Sequence, residues 1–250
     1  MKKEKQISSI ELLQSIIQMD KTEYSEEIRD KVDYLSRKRV AKPFIAVSAG
    51  TAALVSGSGE TANAVLEYLQ DRNIDATTTY TGCLGLCNDE PSLSVQLPGR
   101  NRVVFRNILP DDVPALLDDV IHNNIPTEKL IGQFQSSESN PWKDIPYIED
   151  LPFLKKQKRH ILKDNGIIDP QSIEEYIGRG GYKAFLKTIE HYTYKEICDI
   201  IEDSGLRGRS GSGYPTGKKW KIAYHTPADQ KYLVCNAEES DPGAFMDRAI

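Results

Sequence analysis

The residues best suited to chemistry lie near the carboxyl end, in Leu206 to Trp220, reading LRGRSGSGYPTGKKW. Glycines at 208, 211, 213 and 217 leave a backbone with few Cβ atoms, so its N–H groups can reach a flat or phosphorylated ligand at contact distance. Arg207, Arg209, Lys218 and Lys219 add positive charge beside that loop. Phosphate is the natural guest. By itself such a loop is a weak signal, because glycine-rich turns with solvated basic residues are common. The second half of the signal is Tyr232 to Arg248, YLVCNAEESDPGAFMDR. Tyr232 to Cys235 is a short apolar, β-prone run and is predicted to be a buried strand. Asn236, Glu238, Glu239 and Asp241 then fall beyond its carboxyl end, where open α/β sheets bind ligands. Three carboxylates would repel a bare phosphate. They suit a ligand that also carries hydrogen-bond donors, such as a flavin with its ribityl chain or a nicotinamide ribose.

These two segments together resemble the NADH-oxidising, FMN-containing flavoprotein subunits of respiratory complex I and of NAD-linked hydrogenases and formate dehydrogenases. The family pattern is close to LRGRGGAGFPTGxKW, then a strand, then CNADExxPGxxxDR. This chain matches it from Arg207 through Trp220 and again at Asn236, Glu239, Pro242, Gly243, Asp247 and Arg248, departing at Ser210, Ser212, Tyr214 and Glu238. DPGAFMDR and the stretch LPFLKKQ…IIDPQSIEEYIGRGGY look more like the hydrogenase and formate dehydrogenase branch. The resemblance implies FMN and NAD(H) as cofactors and an NADH:acceptor oxidoreductase activity, with electrons passing to iron–sulfur clusters. It implies no catalytic side chain, since the chemistry belongs to the cofactors. By resemblance Gly208, Arg209 and Gly211 line the flavin and Lys219 lies on its phosphate side. Asn236 and Glu238 bond the ribityl and ring region, while Ser212, Tyr214 and Asp241 hold the nicotinamide nucleotide. Gly213 and Glu239 complete the binding set. The implied partners are other subunits of an electron-transfer complex, ferredoxin-like and of hydrogenase or formate dehydrogenase type. Family members continue well past the last matched residue, so the chain is expected to be their N-terminal part, inactive as this 250-residue piece alone, with a [4Fe–4S] cluster only in the region beyond.

The elements that must position these residues begin with an N-terminal helical arm over 1–40. Ser8 and Glu11 have capping-box spacing, Ile10, Leu13 and Ile17 share a face, and Ile28, Val32 and Leu35 repeat the pattern. Over 41–125 the order is strand, helix, three strands, helix. The strands are Phe44 to Val47, Ala76 to Tyr80, Leu93 to Leu97 and Arg102 to Phe105, and the helices Ser58 to Gln70 and Pro110 to Ile121. This order resembles the thioredoxin-like ferredoxin domain that stands before the flavin domain in the hydrogenase branch. Residues 126–150 are polar, with several serines and prolines, and read as an extended linker. Residues 151–250 are the start of the FMN/NADH-binding domain. There Asp169 and Pro170 are expected to cap a helix carrying Ile173 and Ile177 inward, and Thr193 with Glu196 to form a second capping box. The fold class is therefore α/β: a thioredoxin-like ferredoxin domain, then the start of an FMN-binding, Rossmann-like domain, with the helical arm in front.

The ferredoxin resemblance implies a [2Fe–2S] cluster held by Cys-x4-Cys and Cys-x3-Cys. The second pair is present as Cys83 and Cys87, whereas Ser48 and Ala53 stand at the first. A [2Fe–2S] centre needs four ligands, normally thiolates, so this domain is expected to lack its cluster and any other metal. Cys83 and Cys87 then read as small buried hydrophobes left at ligand positions, with a redox disulfide as the other reading. Cys198 and Cys235 read as buried core. The four histidines are scattered without metal spacing. A net charge of −5, from 32 basic and 37 acidic residues, argues against a nucleic-acid footprint. No apolar run is long enough to span a bilayer and no h-region follows the charged N-terminus, so a cytoplasmic protein without membrane insertion is expected. The competing reading is a non-redox docking module built on a cluster-free thioredoxin-like domain.

Overall fold

The structure is a computed structural model that describes residues 8–19, 23–209 and 211–235. The chain divides into two compact units, Met1–Leu186 and Lys187–Ile250. It is an α/β protein. Among the described residues no helix is long and apolar enough to cross a membrane.

The first unit opens with α1 (Ser9–Gln18), started by the expected capping box: the Ser8 hydroxyl accepts from the Glu11 N–H at 3.2 Å and the Glu11 carboxylate accepts from the Ser8 N–H at 3.0 Å. α2 (Glu26–Leu35) is capped by Ser25. Of the face of α1 expected to point inward, Ile17 is buried. Ile10 is exposed, while Ile16 packs with Tyr24, Leu35 and Ile177.

A five-stranded sheet follows, in the order β2-β1-β3-β4-β5, made of β1 (Phe44–Ser48), β2 (Thr77–Thr81), β3 (Leu93–Gln96), β4 (Val103–Phe105) and β5 (Leu130–Gln133). β1 and β2 are parallel, and every other pairing is antiparallel. A parallel pair needs a crossover, supplied by α3 (Thr51–Val55) and α4 (Ser58–Asp71). Every residue of β1 is buried, and its alternation divides the apolar side chains between two cores. Ile45 and Val47 meet Val65 and Leu69 of α4 and Leu117 and Val120 of α5 (Val113–Ile121), while Phe44 and Ala46 face the other way.

Residues 126–150 are not the extended linker that their composition suggests. They contribute β5 and place Trp142 in the main core, where its indole Nε1 donates to the Asn101 carbonyl at 2.8 Å. Gln133, a polar residue that hid the strand, is fully buried because its amide is satisfied internally. It donates to the carbonyls of Trp142 at 2.9 Å and Ile145 at 2.7 Å and accepts from the Trp142 N–H at 2.8 Å.

On the opposite face lie α6 (Pro152–Lys155) and α7 (Ile173–Gly178), with α8 (Lys183–His191) running on into the second unit. The cap of α7 is Ser172 rather than Asp169. Asp169 instead accepts from the Thr79 hydroxyl at 2.8 Å and the Gln171 N–H at 2.8 Å, and Ile173 is exposed while Ile177 is buried. This side of the sheet is held by buried charge. Arg102 lies over the rings of Phe134 and Phe44, donates Nη1 to the Ile167 carbonyl at 3.1 Å and Nη2 to that of Gly166, and is pushed by burial down to about 9. Arg37 stacks on Phe44 at 4.2 Å and pairs with Glu175, whose carboxylate also accepts from the Asp169 N–H at 2.8 Å. Burial raises the Glu175 carboxyl against the pull of that N–H and of Arg37.

Removing one partner of such a pair leaves the other buried and uncompensated. Glu175→Ala is expected to cost about 3–5 kcal/mol of first-unit stability in urea unfolding, whereas the double change Arg37→Met with Glu175→Leu recovers most of that loss. Equal losses from the single and double changes would show that packing, not charge, dominates there.

Candidate functional site

In the second unit the chemistry-bearing loop is held between two helices. α9 (Tyr194–Asp203) starts at the expected box, in which Thr193 accepts from the Glu196 N–H at 3.3 Å and Glu196 accepts from the Thr193 N–H at 2.7 Å. It stops at Gly205, whose φ of +67° reverses the chain. Leu206 to Gly208 then pairs with Tyr214 to Thr216 as a hairpin. The Gly208 N–H donates to the Tyr214 carbonyl and the Thr216 N–H to the Leu206 carbonyl, each at 2.9 Å, with Arg207 opposite Pro215. Arg207 also donates Nη1 to the Gly213 carbonyl at 3.1 Å, so that cation is spent on the loop itself. α10 (Thr216–His225) begins where the hairpin ends.

The glycines of this segment do two different jobs. At Gly217 an added Cβ would lie 2.4 Å from the Glu202 Cα, so α10 crosses α9 with backbone nearly on backbone. Lys221 of α10 pins the crossing by donating to Asp199 at 2.7 Å and to Glu202, and those carboxylates hold its ammonium well above the usual lysine range. The sequence counted Gly217 with the ligand glycines, but it serves helix packing. Gly208 spends its N–H closing the hairpin. At Gly211 and Gly213 an added Cβ would meet nothing within 4 Å, and only Gly213, at φ +52°, needs glycine for its backbone. Among the described residues nothing in the fold asks for glycine at 211. That open, Cβ-free surface fits a flat or phosphorylated group, and neither Arg209 nor Lys219 meets a carboxylate among the described residues. Tyr214 is half-exposed beside it and Ser212 is exposed.

The other half of the expected site is not formed as predicted. Tyr232 to Cys235 is not a strand, and Tyr232, Leu233 and Val234 are 79%, 101% and 82% exposed. A strand needs a neighbour for its N–H and C=O groups, and every strand in the described sheet belongs to the first unit. Cys235, expected in the core, is exposed for the same reason. Asn236, Glu238, Glu239 and Asp241, with Ser210, lie outside the described residues. Cys198 is buried on α9, as its helical face requires.

In the first unit the cysteine loop follows β2. Cys83 and Cys87 bring their Sγ atoms to 4.0 Å, and the Gly85 N–H donates to the Cys83 sulfur at 3.2 Å. They are not the small buried hydrophobes expected, for Cys83 is half-buried and Cys87 exposed, lifted out on a short loop that turns at Gly85. Burial, aided by a hydrogen bond with Glu90 and opposed by the Gly85 N–H, pushes the Cys83 thiol up to about 12. The segment after β1 arrives beside them, with the Gly50 backbone against Cys83. What it brings is not a ligand set. The Ser48 hydroxyl donates to the buried Glu90 and accepts from the Ser92 N–H at 2.9 Å, and Ala53 is fully buried with only a methyl to offer. Two thiols, one committed hydroxyl and a methyl do not fit a [2Fe–2S] cluster. No group of three or more metal-ligating side chains forms among the described residues.

Residues 201–250 match the family model for the Nuo51 FMN-binding domain of the complex I 51 kDa subunit. Among curated relatives, the chain is 52% identical over 96 residues to the NADP-reducing hydrogenase subunit HndC of Solidesulfovibrio fructosivorans, covering 38% of this chain and 19% of that one. It is 51% identical over 79 residues to a subunit of the NADH-quinone oxidoreductase of Aquifex aeolicus, covering 32% and 18%. It is 26% identical over 170 residues to the NAD-reducing hydrogenase HoxS subunit alpha of Cupriavidus necator, covering 68% and 25%. The matches thus span between about a fifth and a quarter of these relatives' own length. The resemblance to the 51 kDa family read from the two motifs stands.

Two outcomes follow. Gly217→Ala is expected to push α10 off α9 at a cost of about 1–3 kcal/mol, the usual range for overpacking, read as faster amide exchange along α10. Anaerobic incubation of the full chain with iron and sulfide is expected to leave no more than trace bound iron after desalting. About two irons per chain, the complement of one [2Fe–2S] centre, would overturn the donor argument.

Proposed function

We propose that this chain is the N-terminal portion of an NADH-oxidising flavoprotein subunit, which passes electrons from NADH by way of FMN to the iron–sulfur clusters of a multi-subunit oxidoreductase. The observation that carries this reading is the glycine loop. Gly211 and Gly213 leave open space in a segment that matches an FMN-binding domain and also carries Arg209 and Lys219, two cations with no carboxylate partner among the described residues. FMN, when bound, would supply the chemistry that links two-electron hydride acceptance to one-electron release. This chain's own residues bind and orient. Gly208 closes the hairpin, Gly211 gives the flavin room, and Arg209 and Lys219 supply positive charge, Lys219 on the phosphate side. Asn236 and Glu238 bond the ribityl and ring region, with Glu239 in the same acidic stretch. Ser212, Tyr214 and Asp241 hold the nicotinamide nucleotide, the exposed Tyr214 ring offering a stacking surface.

In this reading the helical arm takes 1–40, a thioredoxin-like domain 41–125, a connection 126–150 that packs on the sheet through β5 and Trp142, and the opening of a Rossmann-like FMN/NADH domain 151–250. Support for the thioredoxin-like assignment is the order β2-β1-β3-β4 with only β1 and β2 parallel. The partners are ferredoxin-like and hydrogenase or formate dehydrogenase type subunits in the cytoplasm. The poor fit of the cluster positions favours a second role for the front domain alone, as a docking module rather than an electron carrier.

The test is made on the protein purified from its source with its co-purifying subunits. The expected preparation is yellow, contains FMN, and reduces a dye with NADH. Each of Arg209→Ala and Lys219→Ala should weaken FMN binding roughly 10- to 100-fold, the loss of one charge-assisted hydrogen bond. A colourless preparation that cannot oxidise NADH would end this reading.

A further inference from the structure

We propose that Cys83 and Cys87 are a redox-active dithiol that closes to an intramolecular disulfide by exchange with a small-molecule disulfide. Three observations converge on the pair. The sulfurs stand 4.0 Å apart, so rotation of the two side chains must close only about 2 Å to reach the S–S bond length. The loop between them turns at Gly85, whose φ of +93° favours glycine, and an added Cβ there would meet nothing within 4 Å. Exposure is graded across the two, with Cys87 open to solvent and Cys83 half-buried behind it. That grading sets the order of events. The Cys87 thiolate attacks one sulfur of the incoming disulfide and releases the first small thiol. Cys83 Sγ then attacks Cys87 Sγ in the mixed disulfide and releases the second. The two protein thiols are oxidised by two electrons, the small disulfide is reduced to two thiols, and the two protons leave with those thiols.

The neighbourhood is consistent with sulfur–sulfur chemistry rather than ligation. Ser48 and Ala53 offer no third donor, and the Gly50 backbone packs against Cys83. Cys198 is buried on α9, and Cys235 belongs to the other compact unit, so the pair has its own closed stoichiometry.

The full chain, reduced and then desalted, is incubated with oxidised glutathione, alkylated and mapped. Residues 73–100 contain no lysine or arginine before Arg100, so both cysteines fall in one tryptic peptide. The expected result is that peptide unalkylated and lighter by two hydrogens, reverting on reduction. Cys83→Ser is expected to trap glutathione on Cys87 at least tenfold more than the wild type does. Should that variant fail to fold, the wild-type map decides alone. Glutathione persisting on Cys87 of the wild type, or both sulfurs remaining alkylatable, would overturn the proposal. The readout needs no flavin and is independent of the NADH reading.

Discussion

At Gly217 no side chain separates α10 from α9, and the glycine loop between them depends on that approach. The hairpin 206–215 leaves the end of α9 and enters the start of α10, so the spacing of the two helices sets the distance between its ends. A Cβ there would collide with backbone, which cannot step aside as a flexible side chain could. Lys221, anchored on Asp199 and Glu202, adds direction to the contact. With the ends fixed, two backbone hydrogen bonds and the Arg207 bond to Gly213 shape the interior of the loop. Among the described residues Gly211 takes no part in that scaffold.

The first unit follows a similar logic with different parts. β1 sits inside the sheet, and its alternating side chains serve both cores, so the segment leaving its end is fixed in space. That segment arrives at the cysteine loop whether or not it carries ligands. Gly50 packs on Cys83, while Ser48 is bonded to the buried Glu90 and Ala53 lies in the core. Two thiols meet there with no further donor beside them among the described residues.

Much of this was legible in the sequence. Capping boxes at Ser8 and Thr193, the four strands up to Phe105 and the helices α4 and α5 follow from local rules, in which the residues that decide the structure are near neighbours. The misses share one cause. β5 was hidden because Gln133 is polar, and only its non-local partners, Trp142 and Ile145, make its burial acceptable. The Arg37–Glu175 pair joins residues far apart in the chain, and no local pattern announces it. Gly217 looks like its neighbours in the motif, and the distinction lies in Glu202 across the helix contact.

The run Tyr232 to Cys235 is the sharpest case. Its residues favour a pleated, half-buried surface, and a strand is the right local reading. Strand propensity, however, describes what a sheet would accept, not whether a sheet edge is at hand. A helix satisfies its backbone from within, which is why α9 and α10 form from their own residues and one close contact. A strand must borrow its partner from elsewhere, and among the described residues the second unit has none to lend. The same four residues therefore stand exposed, with Leu233 and Val234 open to solvent. Their burial depends on pairing with a strand that the described part of the second unit does not contain.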